Sequence, residues 1–365
     1  MDGNWRRAVT GAVLGPTALI MLGGGALTAP PSALAAGPAA TAAPGALAWH
    51  RLALVNGWQT APGGTAPAWA VRGGITYLTG SLAQAPAGPA EFAVLPRPAR
   101  PDRIQYLVAP ALGGGDATVT ISPSGALSAS SRPAAGARGL TSLAGIAFPA
   151  AGTARHALGL SAGWASGEGR WGTGDPACTV VGGVVYLSGS MYRASGHGTG
   201  WAHLPPAARP PVKLFVTVYT ARGAAGALLI YPDGQVLAFL GNSARLTSLA
   251  GVSFPVARDA RHPLALRNGW ESAHSKYGTA TPAYSVVDGV VYLSGGIRQP
   301  HGSSGVAAVL PAALRPARPV LIKTYAAGLA GTAEIAPDGT VTVASVPGVN
   351  ARILTSLESV SYPLR

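Results

Sequence analysis

Two stretches of the chain spell catalytic motifs. Gly159-Leu160-Ser161-Ala162-Gly163 matches G-x-S-x-G, in which a strained strand-to-helix turn presents a nucleophilic serine. Gly167-Glu168-Gly169-Arg170-Trp171-Gly172 matches G-x-G-x-x-G, whose backbone N–H groups cradle a pyrophosphate at the start of a helix. Both chemistries need a strand before the motif and a helix after it, and neither sequence neighbourhood has a helical apolar period. Carboxylate catalysis needs paired acids. The chain holds only 13 Asp and Glu in 365 residues. The two that recur, Asp233 and Asp338, stand between a proline and a glycine, where turns are made. The lone Cys178 allows no intramolecular disulfide and no Cys/His zinc arrangement. His50, His156 and His262 stand 106 residues apart. Brought to one point, three imidazoles would form a metal site; otherwise each simply opens a strand. No carboxylate travels with them to orient the rings, so the strand reading is preferred. The residues point to a protein that is no enzyme and holds no metal or cofactor.

The histidine spacing belongs to a threefold internal repeat. Each histidine is followed eight residues later by the Trp of a Gly-Trp pair: Trp58, Trp164 and Trp270. Next come Pro67-Ala68-Trp69, Pro176-Ala177-Cys178 and Pro282-Ala283-Tyr284, then VRGGITYLTGS, VVGGVVYLSGS and VVDGVVYLSGG from Val71, Val180 and Val286. Leu-Pro follows at 95, 204 and 310, and Arg-Pro at 100, 209 and 315. Each copy closes on LTSLAGIAFP, LTSLAGVSFP or LTSLESVSYP. Aligned on itself, the chain places Val55 and Arg267 where Ser161 stands, and aromatics where Cys178 stands. The nucleophile reading does not survive that comparison.

These landmarks predict strands. Gly73-Gly74, Gly182-Gly183 and Asp288-Gly289 supply the φ > 0 of a tight hairpin turn between alternating apolar runs. A second hairpin turns at Ser124-Gly125, Asp233-Gly234 and Asp338-Gly339. The prolines exclude a helix and place their segments at a sheet edge. The expected fold is all-β: three tandem antiparallel, jelly-roll-like β-sandwich modules over residues 49–150, 155–256 and 261–365. Links of only six residues keep the modules together.

Residues 1–35 are expected to be an export signal: Arg6-Arg7, an apolar run, then the small-residue site Ala33-Leu34-Ala35. Residues 36–48 form an Ala/Pro-rich linker. This predicts a secreted protein with no membrane attachment after cleavage. Lys and Arg number 26, for a net charge of +13, so the chain will be drawn to anionic polymers. The arginines are scattered, which argues against a dedicated nucleic-acid site.

The order Asn-Gly-Trp, Pro-Ala-Tyr, Val-Val-Tyr-Leu-Ser-Gly, Leu-Pro, Arg-Pro, Asp-Gly-x-Val and Ser-Leu-x-x-Val-Ser resembles the β-sandwich head or carboxy-terminal module of tailed-phage minor tail, baseplate and receptor-binding proteins. The likeness is closest over Asn268–Tyr362 and extends to all three copies. It implies a non-enzymatic binding or structural role, commonly in homotrimers that hold surface saccharides. This chain departs in its export signal, its three copies and its lack of a shaft. Three copies in one chain favour a monomeric pseudo-trimer over a homotrimer. Ligand contacts are expected in the loops that vary between copies: Arg170, Trp171, Tyr192 and Trp201 in the second, Tyr277 and Arg298 in the third. Aromatic rings beside arginines suit a glycan or anionic wall polymer. The alternative is a structural component of a surface or phage-tail-derived particle, with protein partners. The repeated Trp58, Trp164 and Trp270 are read as core, because a tryptophan anchors a small sandwich.

Overall fold

The computed structural model describes residues 47–84, 88–131, 134–256, 261–346 and 348–364; the expected export signal and all but the end of the linker lie outside them. The three repeats are three β-modules with one topology. In the second, a four-stranded antiparallel sheet runs in the order His156–Ala157, Ala177–Val181, Val184–Ser188, Ser253–Pro255. Facing it is a seven-stranded sheet: Trp164–Ser166, Ser190–Arg193, Thr247–Ser248, Leu214–Thr220, Ala224–Ile230, Gln235–Phe239 and Gly200–His203. The third module repeats both orders. In the first, the larger sheet is two pieces joined by a single bridge between Ala111 and Thr141. Bridges Leu160–Ala202 and Leu266–Ala308 bring the two edges of the larger sheets together, so these curl toward barrels. The expected all-β sandwich modules are what the chain forms. Helices among the described residues are short, none longer than the six residues of Ala134–Gly139.

Glycine makes the corner between the sheets. The repeated Tyr-Leu-Ser/Thr-Gly strand leaves the smaller sheet at Gly80, Gly189 or Gly295 and continues in the larger one. At Gly80 φ is 94°, and a Cβ there would lie 2.6 Å from Cα of Pro67. No other residue meets both conditions.

Alternation then sorts the side chains. In Val184–Ser188, Val185 and Leu187 enter the module core with Trp164, Met191 and Phe254. Val184 and Tyr186 point the other way, into a cluster built from all three modules: Ala70, Ile75, Tyr77 and Ala147 with Val184, Tyr186, Val290 and Tyr292. Three phenols meet there. Tyr186 Oη lies 2.8 Å from Tyr77 Oη and 3.2 Å from Tyr292 Oη. Burial keeps all three protonated, raising their pKa values above the ordinary phenol. The hairpins therefore surround one axis, and the modules form an intramolecular pseudo-trimer. Their turns also touch: Arg72 donates to the Asp288 carbonyl at 3.2 Å, and a Cβ on Gly73 would meet Val181 at 2.8 Å.

Further along the axis the strands Gln105–Pro110, Leu214–Thr220 and Val320–Ala326 contact one another. Tyr106 stacks on Tyr219 at 5.2 Å, joining modules one and two. Phe215 stacks on Tyr325 at 5.1 Å, joining two and three. Between three and one the contact is ionic: Lys323 Nζ lies 2.6 Å from Asp116 and donates to the Gly115 carbonyl at 3.0 Å.

Tyr186→Phe removes the hydroxyl that contacts both neighbours and leaves two buried phenols short of a partner. We expect a loss of about 1–3 kcal/mol, read from the urea midpoint, with the three modules unfolding in one transition.

Candidate functional site

The variable loop between the opening strand and the first hairpin folds, in module two, into the short helix Glu168–Trp171, closed by Gly172 at φ 65°. This places the Arg170 guanidinium 4.8 Å from the Trp171 ring and 5.4 Å from Tyr192, which comes from Ser190–Arg193. The two rings meet edge-on at 5.3 Å. Three of the residues expected from sequence thus form one partly exposed cation–aromatic cluster.

Module three repeats the device with different residues. Helix His274–Tyr277 ends at Gly278 with φ 70°, and Lys276 Nζ lies 5.5 Å from the Tyr277 ring. Tyr277 also packs on the buried cluster of Ala227, Ala273, Tyr325 and Leu354, as Phe215 and Phe239 do. Arg298 takes the strand position of Tyr192, but its guanidinium is paired with Glu271 on the neighbouring strand. Arg298 therefore joins no aromatic ring. Trp201 is a correction: it is 0% exposed in the core of module two, on Gly200–His203 rather than in a loop. It stands where Phe92 and Ala307 fill the other cores, so no ligand reaches it.

The remaining candidates are structural. Trp58, Trp164 and Trp270 are core residues, and two of them donate to loop carbonyls, Trp58 to Pro89 at 3.0 Å and Trp270 to Ser304 at 2.8 Å. The three histidines do not converge. Each is exposed on its own smaller sheet, His50 stacked on Trp69 at 4.6 Å and His262 on Tyr284 at 5.2 Å. No group of three metal-ligating side chains occurs among the described residues. Ser161 lies in the opening segment, its N–H bonded to the Trp201 carbonyl, with no helix behind it. Burial pushes the Cys178 thiol above its ordinary pKa, away from thiolate chemistry. Asp233 and Asp338 accept from the N–H groups of Gln235 and Thr340 and are turn residues.

The helices also hold the modules together. Ile104 of module one donates to the Gly172 carbonyl at 3.0 Å, and Arg103 Nε pairs with Glu168 Oε1 at 2.8 Å. Glu168 Oε2 accepts from the Gly174 N–H. In module three Gly278 abuts Lys213 of module two. Module one has no such helix. Between Ala61 and Thr65 it has only Pro62, Gly63 and Gly64, where the others have residues 168–173 and 274–279. The unequal loop lengths are legible in the sequence; their position at the junctions between modules is not.

Glu358 is the one described carboxyl with a large upward shift. It replaces Ala144 and Ala250 of the other copies, is fully buried, and accepts from the Gly295 N–H at 2.8 Å. Burial raises its pKa to about 7 against the opposing pull of that hydrogen bond and of Arg261. The folded state therefore holds this proton more tightly than the unfolded chain. Its contribution is complete below the unfolded carboxyl range and lost as pH rises through about 7. Glu358→Gln keeps a neutral acceptor, so it should abolish a loss of roughly 3 kcal/mol between about pH 4.5 and 8. Urea midpoints of the two proteins at pH 5 and 8 measure it.

Core and surface sites also separate by mutation. Trp201→Ala should cost about 3–5 kcal/mol, while Arg170→Ala should change stability by less than about 0.5 kcal/mol. Thermal unfolding of both variants checks the assignment. No helix among the described residues is long and apolar enough to cross a membrane. Comparison with protein-family models, with curated proteins and with solved structures returned no match to this chain.

Proposed function

We propose that the protein is a secreted, non-catalytic binding protein with phage-tail-like modules, which holds a cell-surface or extracellular glycan or an anionic wall polymer. The observation that carries this reading is the Arg170–Trp171–Tyr192 cluster, where a guanidinium and two aromatic rings share one partly exposed corner of module two. Aromatic faces pack against the C–H face of a sugar, and the guanidinium forks onto an acid group. Lys276 and Tyr277 offer the same pair one module on. The net charge of +13 raises the local concentration of any anionic polymer. A pseudo-trimer in one chain supplies the threefold frame that phage-tail heads obtain by oligomerisation.

Pull-down of the secreted chain on cell walls, with a glycan array in parallel, tests the reading. Trp171→Ala with Tyr192→Ala should weaken binding at least fivefold, a change of about 1 kcal/mol. Undiminished binding by that variant, or no binding by the wild type at low salt, would sink the idea.

One observation favours the second reading, a structural component with protein partners. Val346 is 72% exposed and Leu112 58% exposed. Val346 of module three borders Gly114 of module one, and Leu112 borders Gly139 at the end of the helix Ala134–Gly139. Sedimentation at increasing concentration separates the readings: a binding protein stays one chain, a particle component assembles.

A further inference from the structure

The three junctions of the pseudo-trimer are not equivalent, and the difference leaves one cation without an acid. Arg103 and Arg318 stand at the same repeat position, each three residues after the arginine of the Arg-Pro pair; module two has Val212 there. At the first junction Arg103 is met by Glu168 from the helix of module two, and the second carboxylate oxygen is held by the Gly174 N–H. At the third junction Arg318 faces the short loop of module one, which supplies neither helix nor acid. What remains is a cleft of about 540 Å³, bordered by Arg51, Gly63, Gly64 and Thr65 on one side and Pro316 and Arg318 on the other. Arg51 and Arg318 have no ion-pair partner among the described residues. Thr65 occupies the place of Gly174: its carbonyl accepts from Ser81 as that of Gly174 accepts from Ser190. Its N–H makes no hydrogen bond among the described residues.

We propose that this cleft is a binding site for a carboxylate-bearing sugar, a uronate unit either free or within a polymer. The first junction shows the chemistry that the third lacks: a carboxylate bridging the Arg318 position and the Thr65 N–H position. Two guanidiniums across the cleft favour an anion over a neutral ligand. The volume is that of a small-molecule site rather than of a single ion. Gly63 is exposed, with nothing within 4 Å of where a Cβ would stand, at a place where the other modules have a turn of helix. The site is formed by two modules, lies apart from the Arg170 cluster and does not depend on it.

The test is calorimetric titration of the full secreted chain with galacturonate, trigalacturonate and the methyl ester of the trimer. The wild type should bind the acids and not the ester. Arg318→Gln, an exposed substitution, should weaken acid binding about tenfold or more, in the wild type and equally in an Arg170→Ala background that removes the loop cluster's guanidinium. A preference for the trimer identifies the ligand as a polymer, and equal affinity identifies a single unit. Replacing Pro62–Gly64 by the sequence of residues 168–173 should fill the cleft with its own glutamate and abolish binding. Undetectable wild-type binding at roughly millimolar ligand, equal binding of the ester, or an unaffected Arg318→Gln would each overturn the proposal. Because the Arg170→Ala background removes the loop cluster's guanidinium, loss of wall binding there and loss of uronate binding here are separate results.

Discussion

Three tyrosine hydroxyls meeting on one axis are the constraint on which the rest of this molecule depends. Tyr77, Tyr186 and Tyr292 occupy the same strand position in each repeat, on the face of the smaller sheet that turns away from its own module core. A module alone would leave that face, with Ile75 or Val184 or Val290 beside the ring, against water. It would also leave the phenol without its buried partner. Only the equivalent phenols of the other copies reach it, at 2.8 and 3.2 Å around Tyr186. A self-complementary contact of this kind has a cyclic solution, so the repeat count and the symmetry are one fact. Six-residue links hold the partners at high effective concentration, which makes the closed arrangement the cheap one.

Within that frame the copies have diverged at their junctions. The ring stacks Tyr106–Tyr219 and Phe215–Tyr325 are apolar, while the third junction uses Lys323 and Asp116. The closing loop shows the same drift: Gly145 and Gly251 at φ 79° and 78° become Ser359 at φ 70°, and the preceding alanine becomes the buried Glu358. Each change would be a defect in a homotrimer, where it would occur three times. In a single chain it occurs once. Gene-internal copies therefore allow one junction to carry strain, a buried acid or an open cleft while the other two retain the packing.

The fold was legible because its signals are local and triplicated. Glycine pairs at the hairpin tips, alternation in Val184–Ser188 and proline at the edges each have a backbone cause that survives without knowing the neighbours. Trp201 was misplaced for the opposite reason. It lies between two variable segments, and only its alignment with Phe92 and Ala307 shows a core position whose residue size differs between copies. Arg100, Arg209 and Arg315 also hid their role. Their Nε atoms donate to the Leu95, Leu204 and Leu310 carbonyls at 2.8, 3.1 and 3.2 Å, clamping each Leu-Pro turn. A net-charge count treats such arginines as free cations. The Arg170 cluster was legible in part, since Arg170 and Trp171 are adjacent, whereas Tyr192 reaches them only through strand pairing.

The loop that varies most between copies is also the loop that touches the next module, and this has a mechanical cause. The first hairpin and the closing strand are held on the axis, so their lengths cannot change without moving three modules at once. The opening loop rests on its own larger sheet, as Trp171 on Tyr192 shows, and on the neighbouring module, as Glu168 with Arg103 shows. Insertion or loss of a helical turn there alters one junction and the sheet corner beside it. Copy two forms a cation–aromatic corner from the turn, copy three a similar corner packed on the Tyr325 cluster, and copy one omits it. A pseudo-trimer built this way presents one kind of surface at two junctions and a different one at the third, from a framework that stays the same.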